Sequence, residues 1–350
     1  MRAEICHINL SRGYRGGGRQ TEILIRALAE RGWPQSAVVR EGGELASRLR
    51  SIRGLTVVEK PGNLLTAALF GGAAAILHVH QGRSTYVAGL QHLLRRRPYV
   101  ITRRVDNPIR RTLANRFLYR HASHIVALSA AVAQAVRALE PSLQCTLIPD
   151  AVADLPHDPA AAHRIKAGTG KACLVGHIGA LDDSHKGQLQ LIAAARALQS
   201  RAPDIGFMLV GSGRDERMLR EAAAGLENLQ FAGQVNNVGD YLAAFDVFAF
   251  PSRREGLGSS LLDAYQFALP VVATRAGGIP DIVTAGVNGT LVEVDDIESL
   301  TAALLHYCHD AEARAAIGAA NRRAAEQYAG SAIAARYETL YQQITAGGAR

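Results

Sequence analysis

Short apolar and β-branched runs alternate with longer helix-patterned runs along nearly all of this 350-residue chain. Repeated strand–helix–strand order has one common solution, a parallel sheet with helices on both faces. Strand candidates in the first half are Ala3–Asn9, Ala37–Val39, Thr56–Glu59, Ala75–Val79, Tyr99–Arg103, His124–Ala127 and Thr146–Ile148. Helical stretches such as Thr21–Arg31 and Ser129–Leu139 lie between them. The alternation stops at Ala151–Ala172, where prolines, glycines and alanines read as a linker. It resumes with strands Cys173–Ile178, Phe207–Gly211, Leu229–Ala232, Val247–Pro251, Pro270–Thr274 and Gly289–Val292. The intervening helices are Gly187–Ser200, Asp215–Gly225, Val238–Ala243, Ser260–Phe267 and Ile297–Gln327. The pattern predicts an α/β chain of two doubly wound, Rossmann-like domains facing across a cleft, residues 1–160 and 161–330.

Composition narrows the class. Hydrophobic residues make up 48% and charged residues 20%, the balance of a folded globular protein. Cys6, Cys145, Cys173 and Cys308 are far apart and form no Cys-x-x-Cys pair. That spacing argues against a zinc site or a disulfide framework and fits a reducing cytosol. The start, MRAEICHINL, lacks the apolar run of a signal peptide. The longest apolar stretch, Leu64–Leu77, is shorter than the roughly 20 residues of a membrane span. It reads as a helix, a turn at Gly71-Gly72 and a buried strand.

The formal charge of +8 is unevenly spread. Residues 1–150 hold 22 Lys and Arg against 9 Asp and Glu, an excess of 13 positive charges. Residues 151–350 hold 17 against 22, an excess of 5 negative ones. Nine arginines between Arg95 and Arg120 face Asp106 alone. Such a patch suits phosphate groups, acidic lipid or nucleic acid; a merely solvated basic surface is the plain alternative. Few aromatics interleave with these arginines (Tyr99, Phe117, Tyr119) and no nucleic-acid motif accompanies them, which disfavours a nucleic-acid partner.

Ligands of doubly wound sheets sit beyond the carboxyl ends of the strands, so the loops that follow strands carry the chemistry. In SRGYRGGGRQTEILIRAL, Gly16–Gly18 follow the first strand and open a helix, where bare backbone amides favour an anion. No acidic residue ends the second strand, so this is not a dinucleotide fingerprint. In GHIGALDDSHKGQLQ, Lys186 lies before a helix, placed to neutralise a diphosphate. In SRREGLGSSLLDAYQFALPVVAT, Glu255 precedes a Gly-Leu-Gly turn and Asp263 lies eight residues on, inside a helix. Ser259-Ser260 read as that helix's cap, and the amides of Gly258, Ser259, Ser260 and Leu261 read as a phosphate cradle. Two acids flanking such a cradle suit a hydroxyl-rich molecule: sugar hydroxyls at Glu255, ribose hydroxyls at Asp263, phosphates between.

At this point the chain resembles a family 4 retaining glycosyltransferase of the GT-B fold. The phrases that carry the likeness are GALDDSHKGQ, FMLVGSGRDE, LQFAGQV, AAFDVFAFPS, EGLGSSLLDAYQFALPVVAT, AGGIPDIV and GVNGTLV, with weaker support from Gly16–Gly18 and IPDAV. The resemblance implies that Glu255 holds the donor sugar, Asp263 the ribose and Lys186 the diphosphate. It implies that Gly17 and Gly18 approach phosphate and sugar from the first domain, and that Gln234-Val235 lie beside the base. A last helix, within 331–350, would return to the first domain. Three departures stand out. Asp263 replaces a customary Glu. Ala180 stands where the family usually has Arg, leaving Arg253 or Arg254 to substitute. Arg104 lies nearest the place of a customary His, with Arg103 and Asp106 beside it as acceptor or donor contacts.

The implied reaction moves a sugar from a UDP- or GDP-linked donor to an acceptor hydroxyl with the anomeric configuration kept. No cofactor is implied. Asp182-Asp183 are adjacent, not spaced for joint chelation, so no metal is expected. The acceptor would be an anionic glycan or glycolipid, as in lipopolysaccharide core synthesis. The basic first half would rest on the cytoplasmic face of the inner membrane. A sugar-nucleotide epimerase on the same fold is the alternative enzyme.

Overall fold

The computed structural model describes residues 2–63 and 74–347 and divides into two compact units. Unit 1 comprises Met1–Ala151 and Tyr328–Arg350, and unit 2 comprises Val152–Gln327.

Unit 1 holds a seven-stranded parallel sheet in the order β3-β2-β1-β4-β5-β6-β7. Its strands are β1 (Ile5–Asn9), β2 (Gln35–Arg40), β3 (Leu55–Lys60), β4 (Ile76–Val79), β5 (Tyr99–Arg103), β6 (His124–Ala127) and β7 (Thr146–Leu147). The helices are α1 (Gly16–Glu30), α2 (Glu44–Leu49), α3 (Ser84–Arg95), α4 (Leu113–Arg120) and α5 (Ala130–Leu139). Each expected strand of this half is present, β5 and β6 with the expected ends and the others with ends moved by at most two residues. The helix and turn expected before Ile76 lie outside the described residues.

Unit 2 holds a six-stranded parallel sheet in the order β10-β9-β8-β11-β12-β13. Its strands are β8 (Cys173–Ile178), β9 (Ile205–Val210), β10 (Leu229–Gly233), β11 (Val247–Phe250), β12 (Val271–Thr274) and β13 (Thr290–Val292). Its helices are α6 (Pro159–Ala167), α7 (Asp183–Lys186), α8 (Gln188–Leu198), α9 (Glu216–Ala222), α10 (Val238–Ala244), α11 (Ser259–Gln266), α12 (Ile297–His309) and α13 (Ala311–Glu326). The last helix, α14 (Gly330–Gly347), belongs to unit 1.

Four expectations need correction. The linker Ala151–Ala172 contains α6, which starts at Pro159 under an Asp158 cap accepting from Ala160 N at 2.9 Å. Proline suits this position because its missing N–H is an unused donor there. Two polar ties hold this segment to unit 2: Asp158 N donates to Asp240 at 2.6 Å, and Lys166 pairs with Asp246 at 2.7 Å. The unit boundary therefore falls at Ala151/Val152, earlier than residue 160. The single helix Ile297–Gln327 is two: Asp310 leaves helical geometry (φ −108°, ψ 93°) and caps α13 through Ala313 N at 2.8 Å. Third, Cys173 on β8 and Cys308 on α12 form a disulfide with Cα atoms 5.5 Å apart. Residues 135 apart in sequence meet because α12 packs on β8, which spacing along the chain does not reveal. Fourth, the cap of α11 is Gly258, not the serines.

The helix α14 shows why the chain returns to unit 1. Ile333, Ala334, Tyr337, Leu340, Tyr341 and Ile344 repeat at helical spacing and form one buried stripe. They share a core with Ile5, Ile76, Val100 and Val126 of the sheet. A fully buried side chain of this size contributes about 1.5–3 kcal/mol.

Candidate functional site

A doubly wound sheet binds ligands where its strand order reverses, beyond the carboxyl ends. In unit 2 that point lies between β8 and β11; in unit 1 it lies between β1 and β4. Lys186, Glu255, Gly17 and Gly18 follow three of these strands, β8, β11 and β1, while Arg103, Arg104 and Asp106 lie at and after the end of β5 and Gln234-Val235 after β10.

In unit 2, the loop after β8 leads into the single-turn helix α7, which ends on Lys186. The loop after β11 carries Glu255. Lys186 Nζ and a Glu255 carboxylate oxygen pair directly, both side chains mostly buried. The ammonium also lies 5.0 Å from the Phe250 ring centre, a favourable cation–π distance. The sequence assigned these two residues to separate parts of a ligand; the fold brings them to one point. Their loops are fixed from several sides. Arg253 N donates to His185 O at 2.8 Å, tying the β11 loop to α7. Gly278 N donates to the Glu255 carbonyl at 2.9 Å, and Gly277, at φ +52°, leaves no room for a Cβ beneath that backbone. Gly258 takes φ +95° to turn the chain into α11, a conformation that side chains resist.

The amide cradle is partly used. Leu261 N donates to Gly258 O at 2.9 Å, so it closes the turn instead of facing a ligand. Ser259 and Ser260 open α11 as its first two residues. Asp263 is 3% exposed and accepts from Ala153 N at 3.2 Å, fastening the start of unit 2 to α11. Gln234 is exposed beyond β10 and accepts from the Ser212 hydroxyl at 3.1 Å; Val235 follows it. Ala180 is exposed, and its carbonyl accepts from Gln188 at 2.8 Å. Arg253, one of the two substitutes for the missing arginine, is paired with Asp183 and Asp295. Asp183 also accepts from Leu189 N at 2.7 Å, and Asp182 pairs with Arg214 at 2.8 Å, so both acids serve the loop itself.

In unit 1, Gly17 and Gly18 lie in the first turn of α1, which starts at Gly16. Arg104 reaches this turn: its Cδ would lie 3.6 Å from a Cβ at Gly17. Arg103 diverges, donating to the Asn107 carbonyl, and Asp106 is half-buried on the following loop. So the structure groups Arg104 with Gly17 and separates Arg103 from them.

The sequence reading missed what holds Arg104. One guanidinium nitrogen pairs with Asp150, and another donates to His80 Nδ1 at 3.3 Å. Arginine only donates, so His80 Nδ1 is bare and its proton is on Nε2. That N–H donates to His7 Nδ1 at 2.9 Å, and His7 Nε2–H donates to Gln35 at 2.9 Å. Gln35 closes the chain on the Ile25 carbonyl at 3.0 Å. His78, register partner of His7, bonds Tyr341 and Thr102, each at 2.7 Å. Nitrogens of the three imidazoles lie within 4.8 Å of one another, close enough to suggest a metal. Both nitrogens of each ring already have protein partners, so the donor set suits a hydrogen-bonded chain instead. Burial pushes His7 down to about 4, and burial first, then neighbouring positive charge, takes His78 and His80 well below the usual imidazole range. The available signal was the alternation in Ile76–His80: residues 78 and 80 share one face of a strand.

Comparison with known proteins places this geometry. The Glycosyl transferases group 1 family model matches residues 172–310. Over 147 residues the chain is 38% identical to a GDP-mannose-dependent monoacylated alpha-(1-6)-phosphatidylinositol monomannoside mannosyltransferase of Corynebacterium glutamicum, covering 39% of this chain and 38% of that protein. Over 170 residues it is 31% identical to the lipopolysaccharide core biosynthesis mannosyltransferase LpsB of Rhizobium meliloti, covering 44% and 48%. The chain thus spans less than half the length of these curated relatives. Among solved structures, Anabaena Alr3699/HepE in complex with UDP and glucose superposes with a TM-score of 0.83 at 21% identity, over 97% of this chain and 99% of that one. Sucrose-phosphate synthase of Thermosynechococcus elongatus gives 0.76 at 19% identity, over 99% and 100%. Residues 172–310 are thus similar to the glycosyl transferases group 1 family, and the two parallel-sheet units have the GT-B fold of these solved structures.

Proposed function

We propose that this chain transfers a sugar from a nucleotide-sugar donor to a hydroxyl of a glycan or glycolipid acceptor, in the synthesis of lipopolysaccharide or another cell-envelope glycan. The carrying observation is the Lys186–Glu255 pair at the strand-order reversal of unit 2, inside the segment that matches the family. Unit 2 takes the donor. Lys186 and the amides opening α11 face the diphosphate, Glu255 the sugar hydroxyls, Asp263 the ribose, and Gln234-Val235 the base. Unit 1 takes the acceptor, with Arg104 at the end of β5 and Arg103 and Asp106 further out, while Gly17 and Gly18 are assigned to the donor's phosphate and sugar. The relatives above are sugar-transferring enzymes by name, which favours transfer over epimerisation.

The chemistry follows from the charges. Breaking the bond between sugar and diphosphate builds negative charge on the leaving phosphate, and fixed cations and amides stabilise it without reorganising. The pair keeps Lys186 aimed before the donor arrives. The leaving diphosphate takes the acceptor's proton on the face it departs from, so configuration is retained. Cations from the protein make a metal unnecessary. UDP or GDP is the donor base: one relative is GDP-mannose-dependent, and HepE has been solved with UDP-glucose. Two of the relatives act on lipid-anchored glycans by name, so we place this chain on the cytoplasmic face of the inner membrane. Among the described residues no helix is long and apolar enough to cross it.

The test is a panel of UDP- and GDP-sugars scored by the rise in melting temperature, followed by transfer assays with the hit. No shift with any nucleotide-sugar overturns the reading. Lys186→Ala weakens binding of the nucleoside diphosphate more than of the nucleoside, since it touches only phosphate; calorimetry separates the two, and equal losses place the lysine elsewhere. EDTA leaves transfer unchanged. Activity lost to EDTA and restored by Mg²⁺ or Mn²⁺ disproves the metal-free mechanism.

A further inference from the structure

Among the described residues of unit 1, four of the six exposed large apolar side chains, Tyr86, Leu93, Leu94 and Leu113, lie on α3 and α4. Tyr86, Leu90 and Leu93 recur along one face of α3, and Leu113 and Phe117 along the facing side of α4. Between the two helices is an open hollow of about 400 Å³. Its floor is Leu118, which lies over Gly89 where no Cβ fits. Tyr86 OH bridges the helices by donating to Asn115 at 2.9 Å. Scattered exposed leucines are ordinary. Here Leu93 (57%), Leu94 (66%) and Leu113 (84%) stand out of the surface around one concavity, and a contiguous apolar patch marks an interaction site.

The charge around the hollow selects the occupant. Arg95 and Arg96 end α3, Arg110 and Arg111 lead into α4, and Arg116 and Arg120 lie along it; all six are exposed. Glu140 pairs with Arg120 of this set. An apolar hollow inside a cationic ring matches a surface that is anionic at the headgroups and apolar beneath them. Read on its own, the helix over 108–123 has arginines on or beside its apolar side, which is poor for insertion. The fold changes that, because α3 brings Leu93 to the same hollow as Leu113.

We propose that the α3–α4 hollow is a membrane-docking site: Leu93, Leu94 and Leu113 enter the acyl layer of an anionic bilayer while the surrounding arginines bind its headgroups. This rests on the proposed glycolipid acceptor, whose hydroxyl has to be met at a membrane surface.

Flotation with phosphatidylcholine vesicles, with and without phosphatidylglycerol, at low and high salt, decides it. Wild-type protein floats with the anionic vesicles and keeps part of that binding at high salt, because apolar seating is not screened. Leu93→Asp/Leu113→Asp loses about tenfold or more of the partitioning at both salts. Arg110→Glu/Arg116→Glu loses about fivefold or more per arginine, at low salt. Leu93→Ser/Leu113→Ser serves as a milder pair if the aspartates unfold the protein. All variants keep the wild-type melting response to nucleotide-sugars, since none is a residue of the proposed donor site. Wild type that binds no vesicle overturns the proposal, and so does a leucine pair that binds as wild type does. A wild-type dimer that the leucine pair dissociates, without vesicle binding, makes the face a contact between copies and also overturns it. Flotation without any response to nucleotide-sugars supports the docking surface while rejecting the transferase reading.

Discussion

Glu255→Ala abolishes sugar transfer for practical purposes, with kcat/KM falling by about 10²-fold or more. Two losses combine. A charged hydrogen bond to a sugar hydroxyl is worth about 1.5–3 kcal/mol, or roughly ten- to more than a hundredfold. The second loss comes from Lys186. Its ammonium is mostly buried against Phe250 and paired with Glu255. Without the carboxylate it swings toward solvent, and the cation that should meet the leaving phosphate is misplaced; small misplacements at a reacting centre cost up to about a hundredfold. Glu255→Gln keeps one acceptor oxygen and the shape of the loop, so it retains more activity than Glu255→Ala. Initial rates at saturating donor, with circular-dichroism melting as the fold control, measure both. Wild-type turnover by the alanine variant would remove Glu255 from the site.

The strands were readable because most are short apolar runs that a parallel sheet buries on both faces, the edge strands β3 and β7 being the more exposed, and all thirteen are present within a few residues. Strand-end loops were readable for the same reason, and they contain Lys186 and Glu255. What local pattern could not supply was pairing across the fold. Asp310 ends one helix and starts the next with a single side chain, inside an alanine-rich stretch that reads as continuous. Cys173 and Cys308 meet only because α12 packs on β8. Arg104 was singled out by its place after β5, while Asp150 and His80, which bond it, follow β7 and β4, and His7, behind His80, lies within β1. His7 and His78 are neighbours through β1–β4 register, a relation that exists only once the sheet is ordered.

Those histidines lead to a second large effect: the protein loses much of its stability between pH 6.5 and pH 5. His7, His78 and His80 in unit 1 and His177 in unit 2 are fully buried. His7 and His177 are lowered from 6.5 to about 4, chiefly by burial, and His78 and His80 fall well below 6.5 for the same leading reason. The sign follows from proton counting. Below pH 6.5 the unfolded chain takes up protons on these rings while the folded chain does not, down to about pH 4. Stability is therefore complete above 6.5 and falls as the pH drops through that window. At pH 5 the His7 ring, lowered to about 4, costs about 2 kcal/mol, and His78 and His80 act in the same direction, against a usual total of about 5–15. The His7 share alone lowers the melting temperature by about 4–8 °C in a unit of this length. The carboxylates held low by partners, such as Asp240 and Glu338, add to the loss only near their own lower range. The cause is local as well as electrostatic. His80 accepts from Arg104 through Nδ1, so a proton there breaks the bond to the guanidinium and sets two cations against each other. Calorimetric melts at pH 7.5 and pH 5 check the size of the effect. Equal melting temperatures at the two values would mean that the rings are already charged in the fold, and the neutral chain from Arg104 through His80 and His7 to Gln35 would be wrong.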